Sequence, residues 1–340
     1  MKNNKNDPHW GNSLKSLPWD EKEDPSATEK LLSSTIHEWY KLRHQSASED
    51  ELEFINQIPV SACPYCGADK IIKKGFRNGI QKYKCQVCNR KFDALTNTIF
   101  EDRKIPLQKW IEYLLYIFEY HSIHSSSRDN RNAESTGRYW LYKVFAVLKN
   151  IQKNVMLSGT VYIDEMFFPV VKHETVLKDG KQLRGISRNK ICVATGCDSN
   201  GNVLLVVEHT SKPSIKSTWN AYGSHIEPGS HLIHDEEKSH SVLIKKLNLT
   251  EAKYYSKELK KLEDKDNPLD PVNNLHDLSK RFMRQHGGFN RDELQDWMNL
   301  LWFIFSRPEN RYEKVGKFLE MAILSPLKVK YRDVMLKNDD

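Results

Sequence analysis

Residues 159–164 (GTVYID), 189–198 (NKICVATGCD) and 201–210 (GNVLLVVEHT) decide how this chain is read. Each run is short, apolar and rich in β-branched side chains, the mark of a strand. DSNGN (198–202) joins the second to the third with hairpin turn residues. SIKSTWNAYGSHI (214–226) can hold a helix, and SHLIHDEE (230–237) reads as another buried strand. The predicted order is strand, strand, strand, helix, strand. Cys192 and Cys197 fall inside the second strand and should pack as small apolar residues.

Acids close the outer members of this series: Asp164 and Glu165 on the first strand, Asp235, Glu236 and Glu237 on the last. An acid ending an apolar strand costs desolvation unless it binds something there. If the sheet has the ribonuclease-H arrangement, the first and last of these strands are neighbours and Asp164 lies beside Asp235. Such carboxylates repel and need a shared cation, and Mg²⁺ accepts one or two carboxylates together with phosphate oxygens and water. Two such ions about 3.5–4 Å apart can activate a water or a 3′-hydroxyl and stabilise a leaving oxygen. Acidic loops after strands are common, so this spacing alone leaves catalysis and a solvated loop both open. Glu165 points to the opposite face if the strand continues. Further on, VNNLHDLSK (272–280) puts Asn273, His276 and Lys280 on one helical face, as an ordinary amphipathic helix also would.

The cysteines form a second pattern. Cys63 and Cys66 (CPYCG) and Cys85 and Cys88 (CQVCN) flank residues 67–84, GADKIIKKGFRNGIQKYK. Two CxxC pairs at this spacing match one four-thiolate structural zinc site, with no open position for chemistry. The intervening KIIKKG and QKYKC are the strand pieces a zinc ribbon needs. The ribbon is basic, with Lys70, Lys73, Lys74, Arg77, Lys82, Lys84, Arg90 and Lys91 interleaved with Phe76 and Tyr83. Its charge density exceeds the chain average, which favours a phosphate-contacting face over a merely solvated one.

The remaining chain is organised around these two parts. Residues 1–28 are polar and predicted disordered, 33–44 (SSTIHEWYKLRH) predict a short helix, and Ser46 or Ser48 can cap a second. LQKWIEYLLYIFEYH (107–121) and ESTGRYWLYKVFAVLKNIQ (134–152) have helical apolar spacing around a short polar connector. They fit a helix-turn-helix and equally any helical hairpin. Residues 242–268 predict helix or loop, and RDELQDWMNLLWFIFSR (291–307) another amphipathic helix. The expected domains are a polar N-terminal segment (1–57), the ribbon (58–96), a helical DNA-binding region (97–155), a catalytic domain (156–310) and a helical tail (311–340). The fold class is α+β or α/β and multidomain: zinc ribbon, helix-turn-helix-like linker, and a ribonuclease-H-like mixed sheet with flanking helices.

Composition narrows the classes. With 8 Trp, 14 Tyr and 13 Phe in 340 residues, the chain can order much of itself, which excludes disorder throughout. Its longest apolar stretches, WIEYLLYIFEY and MNLLWFIF, fall short of the roughly 20 residues of a spanning helix, so no membrane is expected. No basic-then-apolar secretory pattern opens the sequence. The net charge of +7 permits nucleic-acid binding without requiring it.

Taken together, the strings CPYCG…KYKCQVCNRKFDALTNTIFEDRKIPLQKW, TVYIDE, GSHLIHDEE and VNNLHDLSKRFMRQHGG resemble DDE-type transposases of bacterial insertion sequences, in the branch with an N-terminal zinc ribbon. The resemblance covers about residues 60–305. It implies a ribonuclease-H-like catalytic domain, two catalytic Mg²⁺ or Mn²⁺ ions, one structural Zn²⁺, and cleavage and joining of transposon-end DNA. Asp164 and Asp235 then look like the first two metal-binding acids. The third position, often Glu seven residues before a Lys, falls on Asn273 before Lys280. A neutral amide oxygen is a poorer Mg²⁺ ligand than a carboxylate, so one metal would be held less tightly or with help from a neighbour such as Asp277. Lys280 would contact phosphate as a point charge, and His276 could orient a phosphate or remain a solvated helix residue. Implied partners are the double-stranded DNA of transposon ends and target and a second copy of the chain, in a bacterial, nucleoid-associated cytoplasmic setting. A non-catalytic DNA-binding derivative and a structure-specific nuclease stay open as alternatives.

Overall fold

The computed structural model describes residues 48–259, 261–263 and 266–335; the segment 1–28 and the helix predicted at 33–44 lie outside them. Helix α1 (Glu49–Gln57) starts at Ser48, whose hydroxyl accepts the Glu51 N–H. Buried Glu51 pairs with Arg103 at 2.7 Å and ties α1 to the segment before α2.

A three-stranded antiparallel sheet follows: β1 (Ile71–Arg77), β2 (Ile80–Cys85) and β3 (Lys91–Phe92), in that order. Asn78 and Gly79 turn β1 into β2 with φ of 51° and 76°, the left-handed pair that a two-residue hairpin demands. The buried apolar core of this unit is only Cys63, Cys85 and Phe92, with Tyr83 stacked on Phe92.

Helices α2 (Leu107–Phe118) and α4 (Glu134–Leu148) pack through Trp110 and Trp140, whose rings stack 4.3 Å apart. The Tyr113 hydroxyl donates to the Gly137 carbonyl at 2.7 Å. Between them lies α3 (Ile123–Asp129), where the sequence predicts only a connector. It is a polar helix capped by Ser122, with Ser126 and Ser127 buried, so it offers no apolar stripe to a periodicity reading. Gly137 permits the close approach of α3 and α4, because a Cβ there would meet the Ser127 hydroxyl.

The large sheet is mixed. Its strands are β4 (Thr160–Pro169), β7 (Lys190–Asp198), β8 (Val203–Thr210), β9 (His231–His234) and β10 (Thr250–Lys253), in the spatial order β10-β9-β4-β7-β8. β7 runs antiparallel to both its neighbours, β4 and β8; β9 and β10 add in parallel on the other side of β4. Asp198 anchors the β7–β8 hairpin, accepting the N–H groups of Asn200 and Asn202. Between β4 and β7 the exposed strands β5 (Leu177–Lys178) and β6 (Lys181–Gln182) form a small hairpin. β10 was not expected from its sequence, TEAK: a short, largely exposed edge strand shows no apolar alternation.

Each face of the sheet has its own core. One buries Val161, Ile163, Ala194, Leu204 and Leu232 with α5 (Ile215–Tyr222) and α6 (Ser241–Leu247). The other buries Met166, Phe168, Val193 and Leu205 with α8 (Asp270–Gln285) and α9 (Leu294–Phe305), beyond the short α7 (Ser256–Leu259). This second cluster is continuous with the helices around Trp110 and Trp140 and with α10 (Arg311–Leu324), which α11 (Tyr331–Met335) follows. The free edge of β8 is covered by polar side chains: Gln152 accepts from the Leu205 N–H, Gln295 accepts from the Val207 N–H, and Trp302 donates to the Val203 carbonyl. Those contacts satisfy backbone groups that an open edge would expose. Both Cys192 and Cys197 are buried in β7, as the apolar run predicts.

Candidate functional site: two acids at the end of a parallel strand pair

The sequence places Asp164 at the end of its strand, but β4 continues five residues further, to Pro169. The reason is that β4 has two neighbours of unequal length. It pairs with β7 from Val161 to Pro169, but with β9 only from Thr160 to Tyr162. Asp164 therefore sits just beyond the point where the parallel neighbour stops. The register pairs Tyr162 with Ile233, and carrying it two residues on sets Asp164 against Asp235.

Side-chain alternation sorts the acids. Asp164 shares the α8 face with Met166 and Phe168, whereas Glu165 falls on the α5–α6 face with Ile163 and is buried. Burial is the first cause that raises Asp164, to about 7; the charges of Glu165 and then Asp235 add to it, and the Glu165 N–H opposes them. A carboxylate so placed is short of positive charge, and this donor set suits a divalent cation.

Helix α8 packs against β4 and β7 and buries Val272, Leu275, His276, Ser279, Phe282 and Met283. His276 is thus not a solvated helix residue. Its Nδ1 lies 3.8 Å from Asp164 Oδ2, and its buried Nε2 has no hydrogen-bond partner. Burial, with Lys280 nearby, lowers the imidazole to about 3. Asn273 and Lys280 lie one turn to either side of it and are exposed. Asp277, the expected helper, points elsewhere: its carboxylate pairs with Arg281 at 2.6 Å.

Behind the acids, on the other sheet face, lies a group that the sequence reading missed. His240 is fully buried, and its Nε2 lies 2.9 Å from Glu165 Oε1. Its Nδ1 is 3.2 Å from Nδ1 of His234 and 3.8 Å from Asp235 Oδ1. His234 in turn places Nε2 3.1 Å from Glu251 Oε2 on β10. Burial opposes protonation of His240, yet the hydrogen bond to Glu165 and the surrounding acids outweigh it and hold the imidazole above its ordinary value. Burial and His240 push His234 down. The only hint in the sequence is the density of histidine in HLIHDEEKSH (231–240), which has no spacing rule attached.

In the small sheet, the thiols of Cys63, Cys66, Cys85 and Cys88 converge, with Cys63–Cys88 and Cys66–Cys85 sulfurs each 3.6 Å apart. Four sulfurs about 2.3 Å from one tetrahedral ion would be separated by about 3.7–3.8 Å, so the set fits zinc. The N–H groups of Val87 and Cys88 point at the Cys85 sulfur, as in a metal-binding knuckle. Around them Lys73, Lys74, Arg77, Arg90 and Lys91 are exposed, and Phe76 is 67% exposed in their midst. Lys82 and Lys84 are half-buried; Lys82 pairs with Asp93 and so offers less charge to a partner than expected.

No protein-family model matches the chain. A Halobacterium salinarum protein described as an uncharacterized protein in transposable element ISH50 is 35% identical over 113 residues, 31% of this chain and 35% of that one. The match thus spans about a third of the length of that curated relative. Among solved structures, a pre-cleavage Mos1 transpososome aligns over 65% of this chain and 78% of that one, with 12% identity and a TM-score of 0.25. A likeness that weak carries no argument about fold or activity.

Proposed function

We propose that this chain is a DDE-type DNA transposase with a ribonuclease-H-like catalytic domain. The observation that supports this reading is the parallel register of β4 and β9, which, carried two residues beyond Tyr162 and Ile233, brings Asp164 level with Asp235, while His276 Nδ1 on α8 lies 3.8 Å from Asp164. The identity shared with a protein of a transposable element supports it independently.

Asp164 and Asp235 would hold two Mg²⁺ or Mn²⁺ ions, with Asn273 completing the set as the third ligand. When bound, the ions activate the attacking oxygen and stabilise the leaving one. The chain's own residues position the substrate. Lys280, exposed on α8, holds a DNA phosphate beside the acids as a point charge. Neutral His276 can hydrogen-bond a phosphate or metal ligand through its unpartnered Nε2.

The four thiols would hold one structural Zn²⁺. The exposed Lys73, Lys74, Arg77, Arg90 and Lys91, with Lys84 beside them, would grip transposon-end DNA, and the helices of 97–155 would help to recognise it. Bringing two ends together calls for at least a dimer. Among the described residues no helix is long and apolar enough to cross a membrane.

The test uses labelled DNA from the inverted repeats flanking the coding region, with Mn²⁺. Asp164→Ala and Asp235→Ala should each reduce strand transfer by about 10³-fold or more, equivalent to about 4 kcal/mol of barrier. Full activity in either variant overturns the reading. Cleavage without end joining by the native chain would instead assign a nuclease.

A further inference from the structure

We propose that His234 and His240, on the sheet face opposite Asp164, form a second, transition-metal site together with Asp235, whose carboxylate stands between the two faces, taking a Zn²⁺-class ion through the two Nδ1 atoms and the Asp235 carboxylate.

The argument begins with the outer nitrogens. Nε2 of His240 lies 2.9 Å from Glu165 Oε1, and Nε2 of His234 lies 3.1 Å from Glu251 Oε2. A nitrogen facing a carboxylate at these distances carries the proton. In the neutral rings, both Nδ1 atoms are then acceptors, and they face each other 3.2 Å apart inside the protein. Two lone pairs so placed repel unless something positive lies between them.

A shared proton needs only the line between the two nitrogens. A metal ion needs a third donor off that line, and Asp235 Oδ1 is there, 3.8 Å from His240 Nδ1. The ligating atoms of all three residues lie within 4.8 Å of one another. Ligands about 2.0–2.1 Å from a tetrahedral ion would be about 3.3–3.4 Å apart, against 3.2 Å between the two Nδ1 atoms and 3.8 Å from His240 Nδ1 to Asp235 Oδ1. The outer carboxylates complete the pattern, because a metal-bound imidazole ordinarily donates its other N–H to a carboxylate that fixes its orientation. Imidazole donors favour zinc, copper, iron or nickel over magnesium, calcium or manganese. Asp235 is the route in: its side chain is 26% exposed, whereas both rings are buried.

The site would tie the Asp235 carboxylate from behind, and it is independent of whether the chain acts on DNA. Full-length protein is stripped of metal and titrated with Co²⁺, read by absorbance and by metal content. The first equivalent should show the intense sulfur-to-metal band of the four thiols. The second should add weak d–d bands without it, and should be lost in His240→Gln while the first remains. Glu251→Gln, altered at a half-exposed residue that is not a ligand, should weaken the second equivalent by about 10–100-fold, and it serves if His240→Gln fails to fold. A native chain that takes up only the thiol-bound equivalent overturns the proposal, leaving a proton between the rings. So does a His240→Gln variant whose second equivalent keeps the same d–d bands and the same affinity, or an unchanged second affinity in Glu251→Gln. Strand transfer plays no part in the readout, so this proposal can fail while the transposase reading stands, and the reverse.

Discussion

The thiol cluster and the acid site solve the problem of assembling ligands in opposite ways. The four cysteines fall within residues 63–88, and two tight turns bring them together with almost no apolar core beneath. The acid site takes residues 164, 235 and 276 from three separate elements and rests on a core shared by strands and helices. Under the proposed function, the thiols and their zinc would hold the small fold, whereas the larger fold would hold the acids. The free-energy signs of losing a ligand should therefore differ.

The largest effect is expected at the cysteines. Structural zinc contributes about 10–16 kcal/mol of apparent binding free energy in small domains, so chelation or Cys85→Ser should unfold residues 58–96. No tryptophan lies in that segment, whereas Trp110, Trp140, Trp219, Trp297 and Trp302 lie on helices of the larger body, so a change in their fluorescence on heating reports that body and not the small sheet. Its melting should persist, and joint collapse would break the contrast.

Acid should separate the two regions next. His286 is buried between Phe282 and Trp297, and burial lowers it to about 4 from an ordinary 6.5. Between those values the unfolded chain binds the extra proton, so the stability is full above pH 6.5 and is lost as pH falls towards 4. The loss is on the order of 3 kcal/mol, with His276 acting in the same sense. His286→Phe should flatten the fall in urea midpoint between pH 7 and 4.5, as read by fluorescence. An unchanged slope would remove His286 from the account.

A smaller effect of opposite sign is expected at the acids. Asp164 is ionised against burial, Glu165 and Asp235, so Asp164→Asn should stabilise the metal-free protein at pH 8 by about 1–2 kcal/mol. Destabilisation there would show that the carboxylate is held by partners rather than strained by neighbours. The smallest effects belong to single basic residues of the small sheet. Lys73→Ala or Arg77→Ala should reduce the slope of log affinity for DNA against log salt by about 0.9. Lys82→Ala, already paired with Asp93, should change it less. Equal slopes would mean that the pairing opens on DNA.

The same contrast governs what could be read from the sequence. The convergence of the four cysteines was legible because it is written in short spacings: CxxC twice, with strand-like runs between. The strands of the large sheet were legible from their apolar runs, and the level placement of Asp164 and Asp235 from the order of those strands, although Asp164 does not end its own. What escaped was set by tertiary contacts. The extension of β4 beyond Asp164 depends on its pairing with β7, which no local pattern records. The burial of His276 depends on where α8 lands. Helix α3 and strand β10 are polar elements held by neighbours, and His240 gains its partners only when β4, β9 and the segment before α6 meet.

The unequal neighbours of β4 also set an order in time. A chain leaving the ribosome carries all four thiols by residue 88, and no later residue supplies a sulfur to their cluster. The notch at Asp164 exists only after β9 has been laid along β4, and its outer wall only after residues 270–285 have been made. Parallel pairing across such separations is slow to form. Synthesis thus completes the cysteine cluster first, and the paired acids come into being only with the finished body.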